Sequence, residues 1–195
     1  AGFSAECLNL EFDEKFGVGN DLLKVLNAKL DAPRNRLDRA ASAYRQKFGE
    51  HGLRDLLRAR FEVSHVPTFM LDILSYPWSR IYTTNYDNAI EMALERVKRR
   101  KTSLSNVNSP AELQKDSLAV IHLHGFLQDW SNLAAFEKSC VLTSESYYQV
   151  RETLGPWLET LQADYAGSRL FVFAGFAASD LHINQILFDR TPRDK

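Results

Sequence analysis

Three short polar stretches in this chain carry residue types that can do chemistry. They are Asn85-Tyr86-Asp87, His124-Gly125, and the run 175–180, which opens on Gly175 and closes on Asp180. An amide beside a carboxylate can hold a sugar or a phosphate ester, because asparagine both donates and accepts hydrogen bonds. Histidine is the side chain best poised to take a proton near neutral pH. A glycine after it lets a ligand approach the backbone. Each stretch also has a plainer reading: Asn85 can cap the helix that follows, and His124 can be a core histidine satisfied by a carbonyl.

Other candidates are weaker. His122 and His124 are two apart, so in a strand both face the same way and could join a carboxylate on a metal. No third ligand is spaced to complete that set. Gly17-Val18-Gly19 lacks a preceding strand and the third glycine of a dinucleotide fingerprint, and reads as a turn before a helix. There is no phosphate-binding Walker motif. Cys140 has no nucleophile motif around it and reads as a small buried hydrophobe.

The elements that must position these groups follow from patterning. Residues 20–75 read as helical, with Asn20 or Asp21 as a first cap, helices over 37–48 and 52–61, and Pro67 opening a helix that carries Met70 and Leu74. Residues 80–84 are β-branched and aromatic and predict a strand. An amphipathic helix with Ile90, Ala93 and Leu94 inward follows. Residues 102–116 are polar and predict a surface loop. Residues 118–123 predict a strand covered on both faces, and 169–174 a third buried strand before a last helix around Ile183 and Leu187. Thr143-Ser144-Glu145 starts a helix running toward Leu161. Strands alternating with helices indicate an α/β fold with a parallel sheet, which binds ligands beyond the carboxyl ends of its strands. The three polar stretches all fall at such ends.

Composition bounds the rest. The chain has 195 residues, 45% hydrophobic and 25% charged, with a formal net charge of -1. That supports one sizeable core. It argues against a general nucleic-acid or membrane-surface binder, which needs a basic surplus. The arginines between 34 and 60 are interspersed with acids, as on a solvated helical face. Two cysteines, Cys7 and Cys140, exclude a disulfide framework and a four-cysteine zinc site. With no spanning apolar run and no signal-peptide pattern, the expected compartment is cytoplasmic.

Four motifs in order resemble SIR2-like domains, the sirtuin relatives of bacterial anti-phage defence proteins. They are Pro77-Trp78-Ser79-Arg80-Ile81-Tyr82-Thr83-Thr84-Asn85-Tyr86-Asp87 with Ile90-Glu91, then Val120-Ile121-His122-Leu123-His124-Gly125, then 142–147, then 171–180. Ala1-Gly2-Phe3-Ser4 is similar to the end of the family's opening glycine loop. The resemblance implies a Rossmann-like fold that binds NAD and hydrolyses it to nicotinamide and ADP-ribose. It implies a catalytic pair, Asn85 and His124. It places Asp87, with Thr84 beside it, on the nicotinamide-ribose side, Gly2 and Ser4 near the pyrophosphate, and Gly175 and Asp180 near the adenosine half. It also implies a sensor or activator domain, fused or separate, and a homo-oligomer.

The sequence departs from the pattern of sirtuins and their relatives in three ways. It cannot build their zinc module, so no zinc is expected and a deacylase reading weakens. Ala177 stands where a serine is usual, which removes one hydroxyl contact to the nucleotide, about 0.5–1.5 kcal/mol. The chain opens inside the glycine loop, so the first strand is expected to be missing from it and the parent protein to be longer. Two other classes of function stand beside NAD hydrolysis: a non-catalytic module that binds NAD or ADP-ribose, and a transferase of ADP-ribose or acyl groups. The whole is expected to be a single domain, with a helical module at about 20–75 set into a Rossmann-like core.

Overall fold

The structure, a computed structural model, describes residues 2–175. In chain order the elements are β1 (Leu8–Asn9), α1 (Gly19–Asn27), α2 (Leu37–Phe61), β2 (Val63–His65), α3 (Thr68–Leu74), β3 (Arg80–Thr83), α4 (Ala89–Arg96), β4 (Lys101–Ser105), β5 (Leu118–His122), α5 (Leu133–Ser139), α6 (Ser144–Gln149) and α7 (Arg151–Gly167). Asp180 and the last expected helix lie outside the described residues.

The architecture is α/β, as the alternation of patterns predicts. Its centre is a parallel sheet of order β3-β5-β4, with Thr83 and Ser105 both in register with His122. β5 is buried along its whole length, which accounts for its nearly unbroken apolar run. Its side chains alternate between two cores. Leu118 and Val120 pack with Met70, Ile90 and Leu94, on the side of α3 and α4. Ala119 and Ile121 pack with Leu154, Trp157 and Leu161 of α7. Helices therefore cover both faces, the arrangement a parallel sheet requires.

The helical stretch is not a detached unit. Leu26, Leu53 and Leu57 share a third cluster with Tyr86, Trp130 and Phe136. α2 contains a break where 37–48 and 52–61 read as two helices, because Gly49 takes φ 76°, a conformation open to glycine. β1 and β2 form a small antiparallel pair that tethers the opening segment.

Three expectations are corrected. The third strand of the sheet is not 169–174. That segment has no regular strand structure, and its Leu170, Val172 and Phe173 are exposed rather than buried. An apolar run supplies strand propensity, but a strand also needs a partner edge. A cavity of about 1320 Å³ lies between β3 and this segment. The third strand is instead β4, which runs from Lys101 into the stretch 102–116 that reads as a loop. At a sheet edge the backbone supplies the pairing, and Leu104 is the apolar side chain β4 buries, so a polar sequence suffices. Lastly, neither Asn20 nor Asp21 is the first residue outside α1. The helix starts at Gly19, and Asp21 reaches back from the first turn to accept from the Val18 N–H at 3.0 Å.

Candidate functional site at the strand ends

β3 ends at Thr83, and the turn behind it alternates. The Tyr86 side chain goes into the core, where its ring lies 5.4 Å from Trp130 and its hydroxyl donates to the Val141 carbonyl at 2.8 Å. Asn85 and Asp87, on either side, go the other way and meet Ser4 of the opening loop. The Ser4 hydroxyl donates to Asp87 Oδ1 at 3.0 Å, and Asn85 Nδ2 donates to Ser4 Oγ at 2.9 Å. A hydroxyl has one proton, and here the carboxylate takes it. Ser4 must therefore face the NH2 end of the Asn85 amide, which fixes the amide's orientation. All three residues are buried. Asp87 also accepts from the Ala89 N–H at 3.1 Å, so it starts α4 as well as anchoring Ser4. Burial pushes its carboxyl above the usual range, against the hydrogen bonds from Ala89 and Ser4.

Gly2 and Gly175 close the other side of this knot. The Gly2 N–H donates to the Gly175 carbonyl at 3.2 Å. A Cβ on Gly175 would stand 2.2 Å from the Phe3 nitrogen, and one on Gly2 would stand 2.8 Å from the Gly175 Cα. Gly175 also has φ 62°. Two backbones meet here at a distance that admits no side chain. Phe3, Thr84, Asn85 and Gly175 line one end of the cavity beside β3. The structure thus brings together Gly2, Ser4, Thr84, Asn85, Asp87 and Gly175 of the expected site. Asp180 lies outside the described residues.

His124 sits at the matching point of the neighbouring strand. Thr83 pairs with His122, and Asn85 and His124 each lie two residues beyond that pair. His124 is buried, with its ring edge-to-face to Tyr147 at 5.6 Å, and its carbonyl accepts from the Val141 N–H at 3.0 Å. Gly125 has φ 98°, and a Cβ there would lie 2.6 Å from the Ser139 carbonyl oxygen. Gly125→Ala is expected to cost about 1–3 kcal/mol from backbone strain alone, with the clash in addition. It should displace His124. A thermal melt that falls together with loss of function would show this; an unchanged melt would mean that the Ser139 turn yields.

His122 does not join His124 as a metal ligand. Both of its ring nitrogens are engaged inside the protein, Nδ1 with the Asn85 carbonyl at 3.0 Å and Nε2 with Glu91 Oε1 at 2.9 Å. Among the described residues no group of three or more histidine, cysteine or acidic side chains could hold a metal ion. Nor is any helix there long and apolar enough to cross a membrane. Cys140 is a buried free thiol whose pKa burial raises, which fits a hydrophobe rather than a nucleophile. The plainer reading of Asn85 as a helix cap does not hold. Asn85 makes no capping bond to α4, a part taken by Asp87.

Sequence reasoning named Glu91 within a motif but gave it no role. The signal was available: Glu91 lies three residues before Leu94, on the inward face of an amphipathic helix, and a buried acid there needs a partner.

The family model described as "SIR2-like domain" matches residues 79–193, from β3 onward. The chain is 26% identical over 164 residues to a protein named NAD(+) hydrolase ThsA from Acinetobacter baumannii, a match covering 83% of this chain and 32% of that one. It is 28% identical over 124 residues to a protein of the same name from Enterococcus faecium, covering 60% of this chain and 23% of that one. The chain therefore spans about a third or less of the length of these curated relatives. The family match takes in more than half of the sequence and both strands that end in the candidate pair, and the protein belongs to the SIR2-like domain family.

Proposed function

We propose that this chain is an NAD-hydrolysing domain that cleaves the nicotinamide–ribose bond to give nicotinamide and ADP-ribose. The observation that supports it most is the knot of Ser4, Asn85 and Asp87, closed by Gly2 and Gly175, in a chain of the SIR2-like family. The relatives named as NAD(+) hydrolases point the same way.

The chemistry suits these residue types. Nicotinamide leaves readily because it departs from a pyridinium, and the transition state is an oxocarbenium-like sugar. His124 polarises a ribose hydroxyl or takes the proton of the attacking water. Asn85, its amide held by Ser4, orients the ribose and that water. Asp87 holds Ser4 and so steadies the nicotinamide-ribose side. The Gly2–Gly175 contact seats the opening loop against the turn at Gly175, the side proposed for the phosphates and adenosine. No metal takes part in this scheme. In the defence setting that the family resemblance implies, NAD depletion is the output. A sensor partner and self-association are the expected means of control, acting in the cytoplasm.

The test is incubation of the natural full-length protein with NAD, alone and with candidate activators, with products resolved chromatographically. Nicotinamide and ADP-ribose in equal amounts are expected. NAD bound but not consumed under any condition would replace the hydrolase with a nucleotide-sensing module. ADP-ribose found on protein would replace it with a transferase.

A further inference from the structure

One buried titratable group takes no part in the scheme above. His122 is fully buried in the sheet's central strand, two residues before His124 and paired with Thr83. Its ring stacks on Phe126 at 4.0 Å. Its two nitrogens face two acceptors, the Asn85 carbonyl and the Glu91 carboxylate. A neutral imidazole has one N–H and would turn a lone pair toward one of them, whereas the imidazolium donates to both. Glu91 is itself buried and accepts from Ser103 Oγ at 2.7 Å on the same oxygen, while its Oε2 has no hydrogen-bond partner. The carboxylate's charge therefore leans on the imidazolium.

We propose that His122, held by Glu91, is a positioning residue that clamps the Asn85 backbone and so sets the Asn85 amide for the substrate. This rests on the NAD-hydrolase reading for its effect on turnover, though not for its effect on Asn85. The clamp joins three elements: α4 supplies Glu91, β5 supplies His122, and the turn after β3 supplies the carbonyl. It leaves the Asn85 side chain to Ser4, so backbone and amide of one residue are fixed from opposite sides.

The groups facing His122 are Glu91 from α4 and Asp87 from the turn after β3. Burial opposes its charge, but Glu91, the Asn85 carbonyl and Asp87 outweigh this and hold its pKa above the ordinary imidazole value. Glu91 moves the opposite way: burial raises it, and His122 and Ser103 lower it further. The sign follows. The clamp is complete while His122 is charged and Glu91 ionised. It is lost as pH rises through the elevated His122 value, or as pH falls through the depressed Glu91 value.

The test uses His122→Asn, His122→Leu and Glu91→Gln in the natural full-length protein, with folding checked by circular dichroism. Asparagine keeps a donor near Nδ1 and leucine does not. In His122→Leu, kcat is expected to fall about 10²-fold, as for a small misplacement of a reacting group, with little change in KM. His122→Asn should recover most of that loss. Glu91→Gln, the variant more certain to fold, should lower the pH at which His122 loses its proton, read from histidine NMR signals, and move the alkaline limb of kcat with it. Independently of turnover, the Asn85 side-chain NH2 resonances should shift in His122→Leu and stay in place in His122→Asn. Unmoved Asn85 resonances in a folded His122→Leu variant would overturn the proposal. So would a neutral His122 at pH 7, or a His122 titration that shifts in Glu91→Gln while the pH profile does not. Absence of NAD turnover in the unaltered protein would instead fail the hydrolase reading and leave the resonance test to decide the clamp.

Discussion

Asn85→Ala and His124→Ala are each expected to reduce nicotinamide release by about 10²–10⁴-fold, the usual contribution of a positioned acid–base or orienting group. The two should differ in character. Asn85→Ala removes the amide but keeps the backbone carbonyl that His122 holds, so the turn after β3 survives. Ser4 keeps its bond to Asp87. The melting temperature should therefore hardly move. His124→Ala also loses the contact with Tyr147, so a small drop in melting temperature should accompany its loss of rate. Neither should change the product identity in the residual activity. The measurement is single-turnover product release beside a thermal melt. Turnover within a few-fold of the unaltered protein in either variant would remove that residue from the pair.

Trp130→Ala is expected to have the largest effect on stability. Trp130 is fully buried, contacts Tyr86 and Phe136 at 5.4 and 5.0 Å between ring centres, and donates from Nε1 to Ser139 Oγ at 2.8 Å. Truncating a buried tryptophan costs about 3–5 kcal/mol. That is a large share of a typical folding margin of about 5–15 kcal/mol. The loss should not stay local. Trp130 supports Tyr86, which anchors the Asn85–Asp87 turn, and its ring lies against the Gly125 backbone. Chemical denaturation should show a lower midpoint, with NAD binding lost before global unfolding. A midpoint that stays put would mean that the cluster repacks around the gap.

The parts of the fold that were legible were those where burial dictates residue type. β5 was readable because a strand covered on both faces must be apolar throughout, and α4 because one face must be. β4 was not readable. An edge strand gains its place from backbone pairing, so Lys-Thr-Ser-Leu-Ser looks like loop. The stretch 169–174 failed in the opposite direction, because apolar residues favour a strand without saying what edge receives it. At the site, Asn85, Asp87 and His124 stood out by type and position. Their link to Ser4 rested on motif resemblance, since no local rule ties residue 4 to residue 85. The metal reading of His122 was set aside for want of a third ligand, but spacing could not show what fills both its nitrogens.

The backbone contact between Gly2 and Gly175 has a consequence for synthesis. A ribosome delivers Gly2 and Ser4 first, Asn85 and His124 well after, and Gly175 later still. Contacts between such distant positions carry a loop-closure cost and form late. A nascent or prematurely terminated chain can hold Ser4 and cannot yet seat its loop against the last turn. For a protein whose proposed chemistry consumes a shared metabolite, this order of assembly withholds the closed site until the turn at Gly175 has been made.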